Sequence, residues 1–385
     1  MSPGEAGGGE AGGGEAGTGR VLVLNCGSSS VKYRLFDGAG TVAKGTVERI
    51  GEPGGDAADH GAALRDVMAG VDLEGLRAVG HRVVHGGTDF SAATVIDDEV
   101  VAAIERLVPL APLHNPANLT GIAVARELLP DLPQVAVFDT AFHATIPAAG
   151  ATYAIDADVA RRFGVRRYGF HGTSHANVAR RTAALLGRPA EDTDVITLHL
   201  GNGASACAVA GGRSVATSMG MSPVAGLMMG TRSGDIDPTV VFHLHRVAGM
   251  PIDDIERLLT SQSGLRGLTG DNDMRAVQRR RAAGDPAAVQ AFEVYCRRIT
   301  EYVGAYLAVL GRADAVTFTG GVGENSPQVR AASLAGLDGL GITVDPAGND
   351  RGDSVISPAG SPVAVCVVAT DEELEIATQA RAVLS

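Results

Sequence analysis

Two stretches of this chain repeat one another, and the repeat limits its architecture more than any other feature. VLVLNCGSSSVKYRLFDGAGTVAKG begins at Val21 and VITLHLGNGASACAVAGGRSVATS at Val195. In each, an apolar run breaks at a turn rich in Gly, Ser or Asn, resumes, turns again and resumes once more. That order reads as strand, turn, strand, turn, strand. Val21 aligns with Val195, Leu24 with Leu198, Asn25 with His199 and Gly27 with Gly201. Duplication on this scale implies two similar lobes with a cleft between them. Backbone N–H groups and the hydroxyls of Ser28 and Ser30 make the first turn a concave anion site, and Lys32 adds a mobile positive charge. An ordinary polar hairpin would share this composition.

The rest of the chain reads as α/β. Further strands are expected over 40–47, 78–84, 134–138, 315–318 and 362–369. Helices are expected near 62–68, over 97–107, from 116 onward, over 286–310 and from about 373 to the end. Residues 319–325 (TGGVGEN) form a third glycine-rich turn at a strand end. Three such turns could hold one nucleotide, the second on its phosphates and the third on phosphate and base. GNGASA, 201–206, also fits the loose dinucleotide pattern G-x-G-x-x-A, but alternation in SACAV predicts a hairpin where that pattern needs a helix. Gly14 to Arg20 nearly spells a P-loop, with Arg and Val where Lys and Ser/Thr are required.

A chain of 385 residues with 45% hydrophobic residues can bury two cores. Its formal charge of −12 argues against nucleic acid or an anionic membrane surface as partner, and no apolar run is long enough to span a bilayer. Four dispersed cysteines, with no CxxC pair, fit a reducing cytoplasm. Residues 1–20, a Gly/Glu/Ala repeat, are expected to be a flexible tail without the apolar segment of a signal peptide.

Candidate chemistry gathers in polar loops. Arg82 leaves a strand in HRVVHGG; Arg232 lies in MGTRSGDIDP, where a salt bridge to Asp235 or Asp237 is the plainer reading. Arginines on tight loops also grip carboxylate and phosphate bidentately. Asp139 comes directly after a buried strand and could equally cap the next element. His114 and His171 sit on loops among Gly, Pro and Asn, whereas His175, at a helix start, reads as a packing residue. No histidine pair has zinc-ligand spacing.

Assembled, these segments resemble the acetokinase family of the sugar kinase–actin–Hsp70 ATPase superfamily over residues 20–385. The resemblance rests on LNCGSSSVKY, HRVVHGG, PLHNPANL, FDTAFHATIP, YGFHGTSH, LHLGNGAS, TSMGMSP, MGTRSGDIDP, FTGGVGENS and TDEE. It implies two duplicated actin-like (ribonuclease H-like) lobes around a nucleotide cleft: 21–142 with the C-terminal helix 373–385, and 143–372 with the nucleotide site and a homodimer interface. It also implies reversible, Mg²⁺-dependent (or Mn²⁺-dependent) phosphoryl transfer from ATP to acetate, giving acetyl phosphate and ADP.

By the same resemblance Asn25 and Glu372 would bind the metal, and Lys32, Ser28 and Ser30 would lie near the phosphates. Arg82 would hold the acetate carboxylate, and Asp139, His171 and Arg232 would serve the transfer. His199, Leu200, Gly201, Asn202, Gly203, Asp273, Met274, Arg275, Gly321, Val322, Gly323, Glu324 and Asn325 would hold ATP. Val84, Leu113, His114, Phe170 and Pro223 would line the acetate pocket. Acetate is already ionised at neutral pH, so orienting an arginine or a metal-bound water suits Asp139 better than accepting a proton. The sequence departs from the family pattern at Ala216, Ala225 and Ala276, each standing where an acid is usual. The rival readings are a kinase for propionate or another short acid and a non-catalytic actin-like ATP-binding switch.

Overall fold

The structure, a computed structural model, describes residues 19–27, 29–112 and 114–385. Most of the expected tail, together with Ser28 and Leu113, lies outside the described residues.

Two sheets organise the molecule. The first comprises β1 (Arg20–Cys26), β2 (Val31–Asp37), β3 (Gly40–Val47), β4 (Leu76–Val83), β5 (Thr94–Val95) and β6 (Gln134–Phe138), in the order β3-β2-β1-β4-β6-β5. The second comprises β7 (Val195–Leu200), β8 (Ala204–Ala210), β9 (Arg213–Thr217), β10 (Ala315–Thr319) and β11 (Ala364–Val367). Read from its hairpin side, its order β9-β8-β7-β10-β11 repeats β3-β2-β1-β4-β6. In both, the first three strands are antiparallel, and the first strand pairs in parallel with the fourth. The duplication therefore extends beyond the repeated hairpins to the whole sheet, giving two lobes of repeated topology.

Register carries the repeat down to single residues. Asn25 faces Lys32 across the first hairpin, and His199 faces Ser205 across the second. Directly opposed residues share one face of a sheet, so each repeat presents a polar pair beside its turn. The strands β6 and β10 are buried along their whole length, as parallel strands covered on both faces must be.

Helices cover the sheets as their apolar spacing requires. The Pro286–Leu310 helix buries Ala288, Ala291, Phe292, Tyr295, Ile299 and Val303, a stripe at three- and four-residue intervals against the second sheet. The last helix, Glu372–Leu384, comes after the second sheet's final strand yet returns to the first sheet. There Ile376, Ala377 and Ala380 meet Val21, Val23, Val135 and Val137. Gly80 permits this close approach: a Cβ there would stand 2.9 Å from Ile376 Cγ2.

One expectation is corrected. The third glycine-rich segment is a short helix, Gly320–Asn325, and not a turn. Gly has poor helix propensity, so TGGVGEN reads locally as loop. Tertiary contacts decide otherwise. Gly320 takes φ 77° against the Leu200 backbone, which lets β10 enter the helix at once, and the Glu324 carboxylate accepts the Gly320 N–H at 2.9 Å.

Candidate active site between the sheets

The carboxyl ends of the parallel strands carry the polar side chains of the cleft. Arg82, near the end of β4, donates from Nε and Nη2 to Asp139 Oδ1 and Oδ2 at 3.0 and 2.6 Å. Its Nη1 reaches Asn25 Oδ1 at 3.4 Å. Burial opposes the Arg82 charge, but Asp139, with Glu372 and Glu373 nearby, more than offsets it and raises its pKa. This bidentate pair fixes the plane of the guanidinium. Asp139 and Arg82 thereby hold one another in place.

Asp139 also anchors the next element through its backbone. Its carbonyl accepts the Gly172 N–H at 2.8 Å, and a Cβ on Gly172 would stand 2.3 Å from that oxygen. His171 is the residue this contact forces into the left-handed region, at φ 57°. A non-glycine residue there is uncommon and carries strain that its surroundings must hold. The ring reaches Ser205 Oγ through Nδ1 at 2.8 Å and lies 4.3 Å, centroid to centroid, from His199. Burial, the imidazoles of His199 and His175, and the charges of Arg82 and Arg232 together push its pKa well below the usual imidazole range. His171 is therefore neutral at physiological pH.

Arg232 makes no salt bridge among the described residues. Asp235 instead accepts from Gly226 N and Tyr302 Oη, and Asp237 from Thr239, so neither pairs with it. Arg232 Nη1 donates to Pro223 O at 3.1 Å, and burial lowers its pKa. His171 Nε2 and Arg232 Nη1 converge over Gly203, at 3.4 and 3.5 Å from where a Cβ would stand. His114 starts the Asn115–Leu128 helix; burial first, then Arg232 and Arg82, lower its pKa. Val84 and Phe170 are buried in the core of the second sheet.

The second hairpin and the segment after it enclose a cavity of about 840 Å³. Among the residues expected to hold ATP, Gly201, Asn202, Asp273, Met274, Arg275, Gly321, Val322 and Asn325 line it. Leu200 and Glu324 do not present their side chains to it. Leu200 is fully buried in the second core, and Glu324 Oε1 accepts from Gly320 N and Thr370 N, locking the short helix to the chain before Glu372. Gly323 is a buried residue of the same helix. His199 donates or accepts through Nδ1 with Ser174 Oγ at 2.8 Å and stands 3.9 Å from Glu372 Oε1.

Sequence reasoning missed six lining residues, Leu265, Asn272, Gln278, Arg279, Ala282 and Ser326. Gln278 and Arg279 lie one helical turn beyond Met274 and Arg275, so helical spacing would have found them. Nothing in the sequence marks the buried hydroxyls of Ser174, Thr197 and Ser205 that hold the imidazoles.

No three His, Cys, Asp or Glu side chains among the described residues form a metal cage. Asn25 and Glu372 are hard oxygen donors near the Arg82 carboxylate pair. A sparse set of this kind suits Mg²⁺, which keeps several waters and shares its other ligands with phosphates.

A duplicated α/β fold whose cleft sets Arg82, paired with Asp139, beside a cavity of about 840 Å³ and an Arg232 without a salt bridge among the described residues defines a phosphotransferase. Residues 55–378 match the sequence model of the acetokinase family, and the chain belongs to that family. An acetate kinase of Streptomyces coelicolor is 59% identical, covering 95% of this chain and 97% of its own. The crystal structure of Porphyromonas gingivalis acetate kinase superposes with a TM-score of 0.91 at 42% identity, covering 96% of this chain and all of that one. That of a propionate kinase from Francisella tularensis gives 0.90 at 38%, covering 94% and 98%.

Proposed function

We propose that this enzyme joins acetate to the γ-phosphoryl group of ATP, reversibly, giving acetyl phosphate and ADP by direct in-line attack of the carboxylate. The observation that carries this reading is the cleft itself: Arg82 held flat by Asp139 and Arg232 left without a carboxylate partner among the described residues. The chemical obstacle is to bring one anion onto a polyanion, and the site answers with cations and donors already in place. Arg82 would hold the acetate carboxylate, with Val84, Phe170, His114 and Pro223 around the methyl group. Arg232 and His171 would meet the equatorial oxygens of the phosphoryl group. Lys32 and the hydroxyls of Ser28 and Ser30 would face the nucleotide phosphates, and the 840 Å³ cavity would take the nucleoside. Asn25 and Glu372 would hold Mg²⁺, which neutralises phosphate charge when bound.

The remaining assignments extend the same reading. A lobe boundary at 142/143 fits the sheets, with the final helix crossing back to the first. A homodimer through the second lobe fits the Thr239–Ala248 helix, which buries none of its residues and exposes Phe242 and Val247 at 52% and 72%. A cytoplasmic setting fits four free, buried thiols. No helix among the described residues is long and apolar enough to cross a membrane.

Acyl phosphate formation, trapped as the hydroxamate with ATP and Mg²⁺, is the test, run with acetate, propionate and butyrate in parallel. The highest kcat/KM is expected for acetate. A preference for a longer acid would move the assignment to that acid, and no product from any of them would leave a nucleotide-binding switch.

A further inference from the structure

Behind His171 lies a line of buried hydroxyls and imidazoles that the phosphoryl-transfer reading does not use. Ser205 Oγ stands 2.8 Å from His171 Nδ1 and 2.7 Å from His175 Nε2. Thr197 Oγ1 stands 2.7 Å from His175 Nδ1. Thr197, His175 and Ser205 are all fully buried, so bulk water cannot satisfy or reset any of these groups. Each hydroxyl has a single proton to donate, and each neutral imidazole has one donor and one acceptor nitrogen. The line therefore has only two self-consistent states, and one end decides both.

Thr197 is that end. Besides His175, its hydroxyl has only the Cys207 carbonyl within reach among the described residues, at 3.5 Å, the outer limit of a hydrogen bond. The short contact takes the proton: Thr197 Oγ1–H donates to His175 Nδ1. His175 then carries its own proton on Nε2 and donates to Ser205 Oγ. Ser205 donates in turn to His171 Nδ1. The proton of His171 must then sit on Nε2, the nitrogen that stands with Arg232 Nη1 over Gly203 and has no partner among the described residues.

We infer that Thr197, His175 and Ser205 are positioning residues that fix His171 as a neutral imidazole with its N–H aimed into the cleft. The inference rests on the proposed role of His171 as a donor to the phosphoryl group. It adds how an uncharged ring is made to donate there. With the opposite tautomer, a lone pair would face the phosphoryl oxygens, and the ring would repel the charge it is placed to stabilise. The φ of 57° at His171 orients the ring toward this line, which gives the strained backbone a purpose.

The test uses the full-length enzyme labelled with nitrogen-15 in histidine, together with steady-state kinetics. Long-range proton–nitrogen spectra distinguish protonated from unprotonated ring nitrogens, and His171→Ala identifies which signals belong to His171. Wild-type His171 is expected to show an unprotonated Nδ1 and a protonated Nε2; the reverse assignment overturns the inference. Ser205→Ala should give averaged His171 nitrogens and lower kcat about 10-fold, with either KM changed less than about 3-fold. Thr197→Val, which keeps the shape and removes the donor, should move kcat the same way, and Thr197→Ser should restore it. If Ser205→Ala does not fold, the Thr197 pair decides: wild-type kcat and an unchanged spectrum in Thr197→Val sink the relay. A near-wild-type kcat in His171→Ala would instead remove the underlying role of His171, an outcome distinct from failure of the relay alone.

Discussion

Arg232 and Arg82 show two ways of keeping a cation in a cleft. Arg82 is oriented by a carboxylate; Arg232 is held by a carbonyl and loses charge stability through burial. A half-buried guanidinium with no carboxylate partner among the described residues is costly, and that cost is relieved when an anion arrives. A donor poised this way acts mainly on the transition state. Arg232→Ala is therefore expected to lower kcat by about 10²-fold or more, with a smaller change in the KM for acetate; a kcat near wild type would exclude the role. Asp139→Asn keeps the shape but removes the charge that holds Arg82 in plane. We expect the KM for acetate to rise by about 10-fold with kcat also reduced, since a loose guanidinium misplaces the nucleophile. An unchanged KM for the acid, measured at saturating ATP, would show that Asp139 does not act through Arg82. Both arginines were legible in the sequence as loop cations, but their difference was not. Partners such as Pro223 O and Asp139, nine and 57 residues away, are set by the fold.

At the scale of elements, the duplication was legible because a hairpin writes its strands and turn in consecutive residues. The resulting register, Asn25 against Lys32 and His199 against Ser205, is simply the repeat counted across its turns. The Gly320–Asn325 helix was not legible, because its stability comes from the Leu200 backbone and Glu324 rather than from local propensity. The same holds for the left-handed His171, whose conformation depends on Gly172 lying against the Asp139 carbonyl. That contact makes a sharp prediction. Gly172→Ala puts a methyl where only 2.3 Å is available, and the start of the Gly172–Leu185 helix must retreat. Overpacking of this kind costs about 1–3 kcal/mol, visible as a lower urea midpoint, and the displaced His171 should lower kcat well beyond what the stability loss explains. Wild-type kcat in a folded Gly172→Ala enzyme would mean that the turn does not position His171.

Across the whole molecule, an unusual share of the histidines is buried, and this ties stability to pH. His81, His85 and His143 lie in separate places, on β4, beyond its end and at the start of the second lobe, and burial pushes each down to about 4. Hydrogen bonds to Gln134 for His81 and to the Phe170 carbonyl for His143 work in the other direction without overcoming it. In the unfolded chain each imidazole takes its proton near pH ~6.5. Between that pH and about 4 the unfolded state binds more protons than the folded one, so stability rises with pH across this interval. The contribution is complete above ~6.5 and is lost as pH falls through the folded values near 4. Each group can contribute on the order of 3 kcal/mol at neutral pH, against roughly 5–15 kcal/mol for a whole domain. The carboxylates that pairing holds low, such as Asp314 beside Arg188, lose their contribution only below the ordinary carboxylate range, so the interval from pH 6.5 to 5 belongs to the histidines. Resistance to unfolding in urea should thus weaken from pH 7 to pH 5. Acidification also relieves the net charge of −12, an opposite effect on any variant, which a comparison of slopes cancels. His81→Asn should be less stable than wild type at pH 7 yet lose less stability on going to pH 5. Parallel slopes for the two proteins would show that His81 is not held neutral by the fold.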